Sequence, residues 1–122
     1  MIDLKEVTFI IPLRIDSGDR LRNIIMSTSF LLNIFECKVI IKESDEMKKF
    51  ETWALPIIKT LVSNLDNLKY VFEENHDDHF HRTKLLNDMI MMADTDIVVN
   101  YDPDIVLPIA SYVDAYQMLM LS

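Results

Sequence analysis

Apolar runs and amphipathic stretches alternate along the chain, and the two kinds of pattern have different periods. Val7-Thr8-Phe9-Ile10-Ile11 is continuous, β-branched and aromatic, which predicts a strand buried on both faces. Pro12 is expected to close it, because proline donates nothing to a central ladder. Leu13 to Asp19 reads as a loop, with Arg14 and Asp16 near the strand tip and Asp16 or Ser17 placed to cap a helix. In that helix Leu21, Ile24, Ile25, Thr28, Leu31, Leu32 and Phe35 recur at three- and four-residue steps and define one apolar face.

The same alternation repeats downstream. Cys37 to Lys42 predicts a second buried strand, ending in the acidic tip Glu43-Ser44-Asp45. A helix is expected from about Glu46 to Ser63, with Met47, Phe50, Ala54, Ile57, Ile58, Leu61 and Val62 inward, Trp53 as a packing residue, and Pro56 kinking or splitting it. Leu68 to Phe72 predicts a third strand, Glu73 to His81 a polar loop, Thr83 to Ala93 a third helix and Ile97 to Tyr101 a fourth strand. From Pro108 a last helix carries Ile109, Tyr112, Val113, Tyr116 and the run Met118-Leu119-Met120-Leu121. Strands alternating with helices of ten or more residues predict a three-layer α/β/α domain with a mainly parallel sheet and right-handed crossovers. Residues 1–122 are expected to form one such domain.

Composition narrows the function classes. A net charge of −8 removes the electrostatic footprint of a nucleic-acid binder. No apolar run reaches the length of a membrane span, and MIDLKEV at the N-terminus lacks a signal-peptide pattern, so a cytoplasmic location is expected. Cys37 stands alone, which excludes a disulfide framework and a cysteine metal site. Gly18 is the single glycine, so Gly-rich phosphate loops are absent and any phosphate must be held by side chains, a metal or a helix N-terminus.

The candidate chemistry lies at the predicted strand tips, where open α/β sheets bind ligands. Asp102-Pro103-Asp104 follows Ile97-Val98-Val99 and precedes Ile105-Val106-Leu107. Pro103 biases Asp102 toward extended geometry, and residues two apart on an extended segment point to one side. Both carboxylates then face one cation, or the three residues form an ordinary loop. Glu43 and Asp45 are placed to accept hydrogen bonds from a ribose or base edge, or Asp45 caps the following helix. Arg82 and Lys84 open the third helix, where the helix dipole adds to their charge, and with Arg14 they form the natural anion site of an acidic chain. Asn87, one turn on, points the same way or lies on the helix surface. The segment His76-Asp77-Asp78-His79-Phe80-His81 offers metal ligands but has no second cluster to complete a set, and reads as a solvated loop.

Phe80-His81-Arg82-Thr83-Lys84-Leu85-Leu86-Asn87, a buried strand, and then Asp102-Pro103-Asp104-Ile105-Val106-Leu107-Pro108 resemble nucleotide-sugar glycosyltransferases of the GT-A fold. The resemblance is to family-two-like enzymes and is nearest to the beta-galactosyltransferase-like branch. Its corresponding segments read Phe-Asn-Arg-Ala-Lys-Leu-x-Asn and Asp-x-Asp-x-x-x-Pro. Thr8-Phe9-Ile10-Ile11-Pro12-Leu13-Arg14 likewise resembles the opening strand of that group, which ends in Val-Pro-aromatic-Arg.

The resemblance implies a GT-A, Rossmann-like nucleotide-diphospho-sugar domain. Pro12, Arg14 and Asp16 would border the base and diphosphate, and Glu43 and Asp45 would hold the uridine or guanosine part. Arg82 would contact the nucleotide, with Lys84 and Asn87 supporting it. Asp102 and Asp104 would meet the ribose and a manganese or magnesium ion that neutralises the leaving diphosphate. The implied activity is transfer of a sugar from a UDP- or GDP-sugar to a hydroxyl of a glycan acceptor, in polysaccharide biosynthesis.

Two departures accompany this. Asp16 stands where the branch carries a second basic residue, and the chain ends soon after the Asp-x-Asp segment. The sequence therefore reads as a truncated, nucleotide-binding half, with the acceptor-binding C-terminal half expected elsewhere. The apolar end at Met118 to Leu121 is expected to be covered by that half or by a second copy in a homo-oligomer, a dimer being the simplest. The alternative is a non-catalytic oligomerisation or regulatory module that keeps the fold.

Overall fold

The computed structural model of the chain describes residues 1–104 and 109–121. Among them, β1 (Ile2–Leu13) leads through α1 (Gly18–Ile34) to β2 (Phe35–Asp45). A π-helical turn, Phe50–Ala54, then runs into α2 (Leu55–Leu61). β3 (Leu68–Glu74), α3 (Arg82–Met92), β4 (Ile97–Asn100) and α4 (Ile109–Leu121) complete the order. The four strands form one sheet in the order β3-β2-β1-β4, and every pair is parallel. An α/β chain with a four-stranded, all-parallel sheet, compatible with a Rossmann-like fold, is therefore what the alternating pattern encodes.

Strand alternation divides the core into two layers. Phe9, Ile11 and Leu13 of β1, with Val39 and Ile41 of β2, pack against Ile24, Leu31, Phe50, Ala54 and Ile58 from α1 and the second helical stretch. Ile10 and Ile40 point the other way and meet Leu85 and Met89 of α3. Two ion pairs tie α3 and the turn that follows it to the sheet. Lys42 reaches Asp88 at 2.8 Å and Lys38 reaches Asp94 at 2.8 Å. These lysines hold both aspartates below the usual carboxylate range. Their contribution to stability is thus present above that range and is lost as pH falls through it.

The α3 layer rests on few large side chains, and both Leu85 and Met89 are wholly buried. Leu85→Ala is expected to destabilise the fold by about 2–5 kcal/mol, the usual cost of an unfilled leucine site. Urea unfolding checks this, and a cost below about 1 kcal/mol would show that α3 is not packed as described.

Several expected boundaries move, each for an identifiable reason. β1 continues through Pro12, which pairs with Lys42 of β2. Ile10 directs its carbonyl to the Tyr101 N–H, so Pro12, two residues on, faces the same side, where β4 has already ended at Asn100. Its missing N–H therefore leaves no ladder bond unmade. Ser17, rather than Asp16, caps α1, its hydroxyl accepting from the Arg20 N–H at 3.1 Å. Pro56 splits the stretch, as expected: the π-helical turn ends at Ala54 and Pro56 falls in the first turn of α2, where a helix needs no N–H.

The register of the second helical stretch also differs from the expected one. Phe50, Ala54, Ile58 and Val62 form the inward line, while Met47, Ile57 and Leu61 are exposed. Trp53 is 45% exposed and so is not a core packing residue. The π-helical turn takes more residues per turn than an α-helix, and a 3.6-residue period read across it assigns the wrong flank. Residues 105–108, which include the second apolar run after Asp104, lie outside the described residues.

Candidate functional site at the strand tips

Strand order reverses between β1 and β4, because β2 and β3 were added on the other side of β1. Parallel sheets offer a crevice at such a point, outside the carboxyl ends of the strands. Four separated stretches of sequence meet there: the Pro12–Arg14 tip, the 75–81 loop, the start of α3, and Asn100 with the turn after it.

Arg14 is the most heavily tied of these residues. Its Nε donates to the Ser44 carbonyl at 2.9 Å and its Nη1 to the Asp77 carbonyl at 2.9 Å. Its guanidinium lies 5.8 Å from the centre of the Phe80 ring. Nη2 is enclosed and has no hydrogen-bond partner. Two residues on, exposed Arg82 donates from Nη2 to Asn100 Oδ1 at 3.4 Å, linking the start of α3 to the tip of β4. Asn87, also exposed, borders a recess of about 320 Å³ with Ile10, Thr83, Val98 and Asn100. Two cationic side chains and a ring thus flank one rim of a chain with net charge −8.

Lys84 turns to Glu73 at the end of β3, 3.2 Å away. Asp16 pairs with Arg20 at 3.1 Å on the surface of α1. Neither lies on the Arg14–Phe80–Arg82–Asn100 line.

The acidic residues are distributed differently from the expectation. Glu43 is 0% exposed. Its carboxylate accepts from the Tyr70 hydroxyl at 2.7 Å and from the Phe50 N–H at 3.2 Å. It therefore caps the π-helical turn from inside the sheet, and no ligand reaches it without unpacking the core. Burial pushes its pKa up, more than its hydrogen bonds pull it down. Burial, reinforced by Glu43, likewise raises that of Tyr70. Asp45 does not cap a helix. Its Oδ1 accepts from the neighbouring Glu46 N–H at 2.7 Å and its Oδ2 faces Lys49 Nζ at 3.2 Å.

Asp102-Pro103-Asp104 forms a turn, not an extended segment. Asp102 Oδ1 accepts from the Asp104 N–H at 2.9 Å, the self-bonding that makes aspartate a turn former, and Pro103 supplies the fixed φ of the bend. The turn leans on α1. Asn23 donates to Asp104 Oδ1 at 2.7 Å, and the Ser27 hydroxyl donates to the Pro103 carbonyl at 2.8 Å. Each carboxylate keeps a second oxygen, so the donor set is two hard oxygen ligands. Among the described residues no group of three or more His, Cys, Asp or Glu side chains is arranged to hold a metal. The histidine loop follows that rule: His76 and His81 lie beside Glu74 and Asp77, and His79 stacks loosely on His81 at 6.4 Å. Its structural part is the Asp77 carbonyl that receives Arg14.

Three contributors escaped sequence reasoning. Asn100 is the first polar residue after an apolar strand, a signal that was present. Asn23 and Ser27 are four apart on one helix, but their partners lie about eighty residues later, and no local pattern reports such a contact.

On the α1 face, Tyr112 of α4 sits among Phe9, Phe30, Phe35 and Tyr101, with ring centres 5.2–6.3 Å apart. Its hydroxyl meets that of Tyr101 at 3.0 Å. Burial, then this contact, raises the pKa of Tyr101. Among the described residues, no helix is long and apolar enough to cross a membrane.

Compared with known proteins, the chain matches no protein-family model, no curated protein and no solved structure.

Proposed function

We propose that the rim between β1 and β4 binds a nucleotide-diphosphate sugar, and that the chain is the nucleotide-binding part of a GT-A-like glycosyltransferase. The supporting observation is the convergence of Arg14, Arg82, Asn100 and the Asp102–Asp104 turn around the point where strand order reverses. Arg14 and Arg82 supply charge for a diphosphate, and planar guanidinium groups suit phosphate oxygens. Asp102 and Asp104 would hold manganese or magnesium, which needs only one or two carboxylates when phosphate oxygens and water complete its shell. Such an ion supplies neutralisation of the leaving diphosphate while the sugar passes to a glycan hydroxyl.

Glu43 has no part in this reading, because its carboxylate already serves Tyr70 and Phe50. Recognition of the base falls instead to groups at the surface of the rim. The strand order supports nucleotide binding in general, and the resemblance of the Arg82 and Asp102 segments to glycosyltransferases supports this class in particular.

Isothermal titration calorimetry with UDP and GDP tests the proposal. One of them is expected to bind, to bind more tightly with manganese, and to lose that gain in Asp104→Ala. Absence of heat from either nucleotide, with and without manganese, would contradict it. That outcome would favour a second reading, a non-catalytic assembly module, for which the exposure of Leu119 and Leu121 on α4 speaks.

A further inference from the structure

A second recess lies on the other face of the sheet, away from Arg14 and Arg82. It is a half-open recess of about 290 Å³ between β1, β4 and α4. Val7, Phe9 and Val99 form its floor, and Ala115, Tyr116 and Leu119 of α4 form its roof. Its polar residues gather mainly at the tip of β4, with Asn100 and Asp102, and in the first turn of α4, with Ser111; the phenol of Tyr116 lies a turn further along. The roof is held in place, because Tyr112 is bound in its aromatic surround and to the Tyr101 hydroxyl. Yet no residue of α4 is buried, and Ile97 and Val99 beneath it stay only half-covered. The helix is thus fixed over the sheet without closing on it.

Apolar walls of this kind give water few partners. Pockets of roughly 300 Å³ with apolar walls and a few polar groups at one end are typical small-molecule sites. We infer that this recess binds a neutral small molecule, apolar along its body and carrying a hydroxyl at one end, of the size of a naphthol. The body fits between Phe9, Val99 and Leu119. The hydroxyl is placed to donate to the Asp102 carboxylate and accept from Ser111. A full charge is poorly served here, since stripping water from an ion against apolar walls costs far more than doing so for a neutral hydroxyl. Neither arginine of the rim takes part, and the site goes beyond the nucleotide reading; Asn100 and Asp102 border both sites.

The test is displacement of the neutral fluorophore N-phenyl-1-naphthylamine from the full chain by naphthalene, 2-naphthol, 2-naphthoate and 2-naphthylmethylammonium. Saturable one-to-one displacement is expected, with 2-naphthol about fivefold tighter than naphthalene, the gain from one net hydrogen bond. Both ions are expected to bind more weakly than 2-naphthol. Ala115→Phe, at an exposed helix position that leaves the fold intact, and Val99→Phe, from the floor, should each weaken 2-naphthol at least tenfold with the circular dichroism spectrum retained. No saturable binding, binding that survives Ala115→Phe, 2-naphthol no tighter than naphthalene, or an ion as tight as 2-naphthol would overturn the inference. UDP and GDP binding is read separately in the same samples, so failure here leaves the rim proposal to its own test.

Discussion

Replacing Glu43 by leucine is expected to destabilise the fold by about 2–4 kcal/mol, whereas replacing it by glutamine should change stability by less than about 1 kcal/mol at neutral pH. Leucine matches the volume of the site but leaves the Tyr70 hydroxyl and the Phe50 N–H buried without an acceptor. A buried donor stripped of its partner costs about 1–3 kcal/mol, and here there are two. Glutamine keeps a carbonyl oxygen for them and removes a charge that burial disfavours. For a chain of this length the leucine variant should melt roughly 8–16 °C lower, and thermal unfolding followed by circular dichroism checks it.

The same pair of proteins carries a pH signature. Burial raises the Glu43 pKa in the folded state, so the folded chain takes up this proton more readily than the unfolded chain. The resulting stabilisation is complete below the ordinary glutamate range and is lost as pH rises through the raised value. The wild type should therefore lose stability relative to Glu43→Gln as pH is raised from about 4 toward neutrality. Asp88 and Asp94 act in the opposite sense in both proteins, and their effect cancels in the comparison. A difference that stays flat, or that grows in favour of the wild type with rising pH, would show that Glu43 is not the buried capping carboxylate described above.

The second large effect concerns the two arginines, which are expected to separate binding from folding. Arg82 is exposed and makes one long side-chain bond, to Asn100. Arg82→Ala should thus leave stability within about 0.5 kcal/mol while weakening the diphosphate at least tenfold, the loss of one charge-assisted contact. Arg14 holds β2 and the 75–81 loop together through Ser44 and Asp77 and rests on Phe80. Arg14→Ala should lose the nucleotide and also melt earlier. Lysine cannot make the forked contacts, so Arg14→Lys should restore little of either. Calorimetry and thermal melts on the three variants check this, and an Arg82→Ala protein that binds as the wild type does would remove Arg82 from the site.

How much of this was legible in the sequence depends on the range of the interaction. Val7 to Ile11 and Val39 to Ile41 are dense β-branched runs, and the α1 face repeats at helical spacing; such local periodicities report elements and the parallel class directly. The π-helical turn at Phe50–Ala54 departs from the 3.6-residue repeat without a sequence mark of its own, so periodicity places Ile57 and Leu61 inward and makes Trp53 a packing residue, whereas all three face solvent. Pro12 looks like a stop in the sequence because the end of β4, which makes it harmless, is a fact about a strand some ninety residues away. Glu43 shows the limit for sites. An acidic residue near a strand tip is a fair candidate ligand until Tyr70, on the neighbouring strand, is seen to occupy it. Asp102 and Asp104 were found by type and spacing, but their turn geometry comes from Asn23 and Ser27 on α1. Charge gave the most transferable signal: in a chain of net −8, cationic residues at strand tips and at a helix start are few, and Arg14 and Arg82 do converge on one rim.

That convergence is the central claim, and the most direct measurement is a two-dimensional nitrogen–proton NMR titration of the full chain with UDP and GDP in the presence of magnesium. The account predicts saturable shifts concentrated at Leu13, Arg14, Phe80 to Thr83 and Asn100 to Asp104, with the α2 flank at Trp53 to Leu61 unmoved. Shifts that cluster away from the β1–β4 rim, or none at millimolar nucleotide, would contradict it.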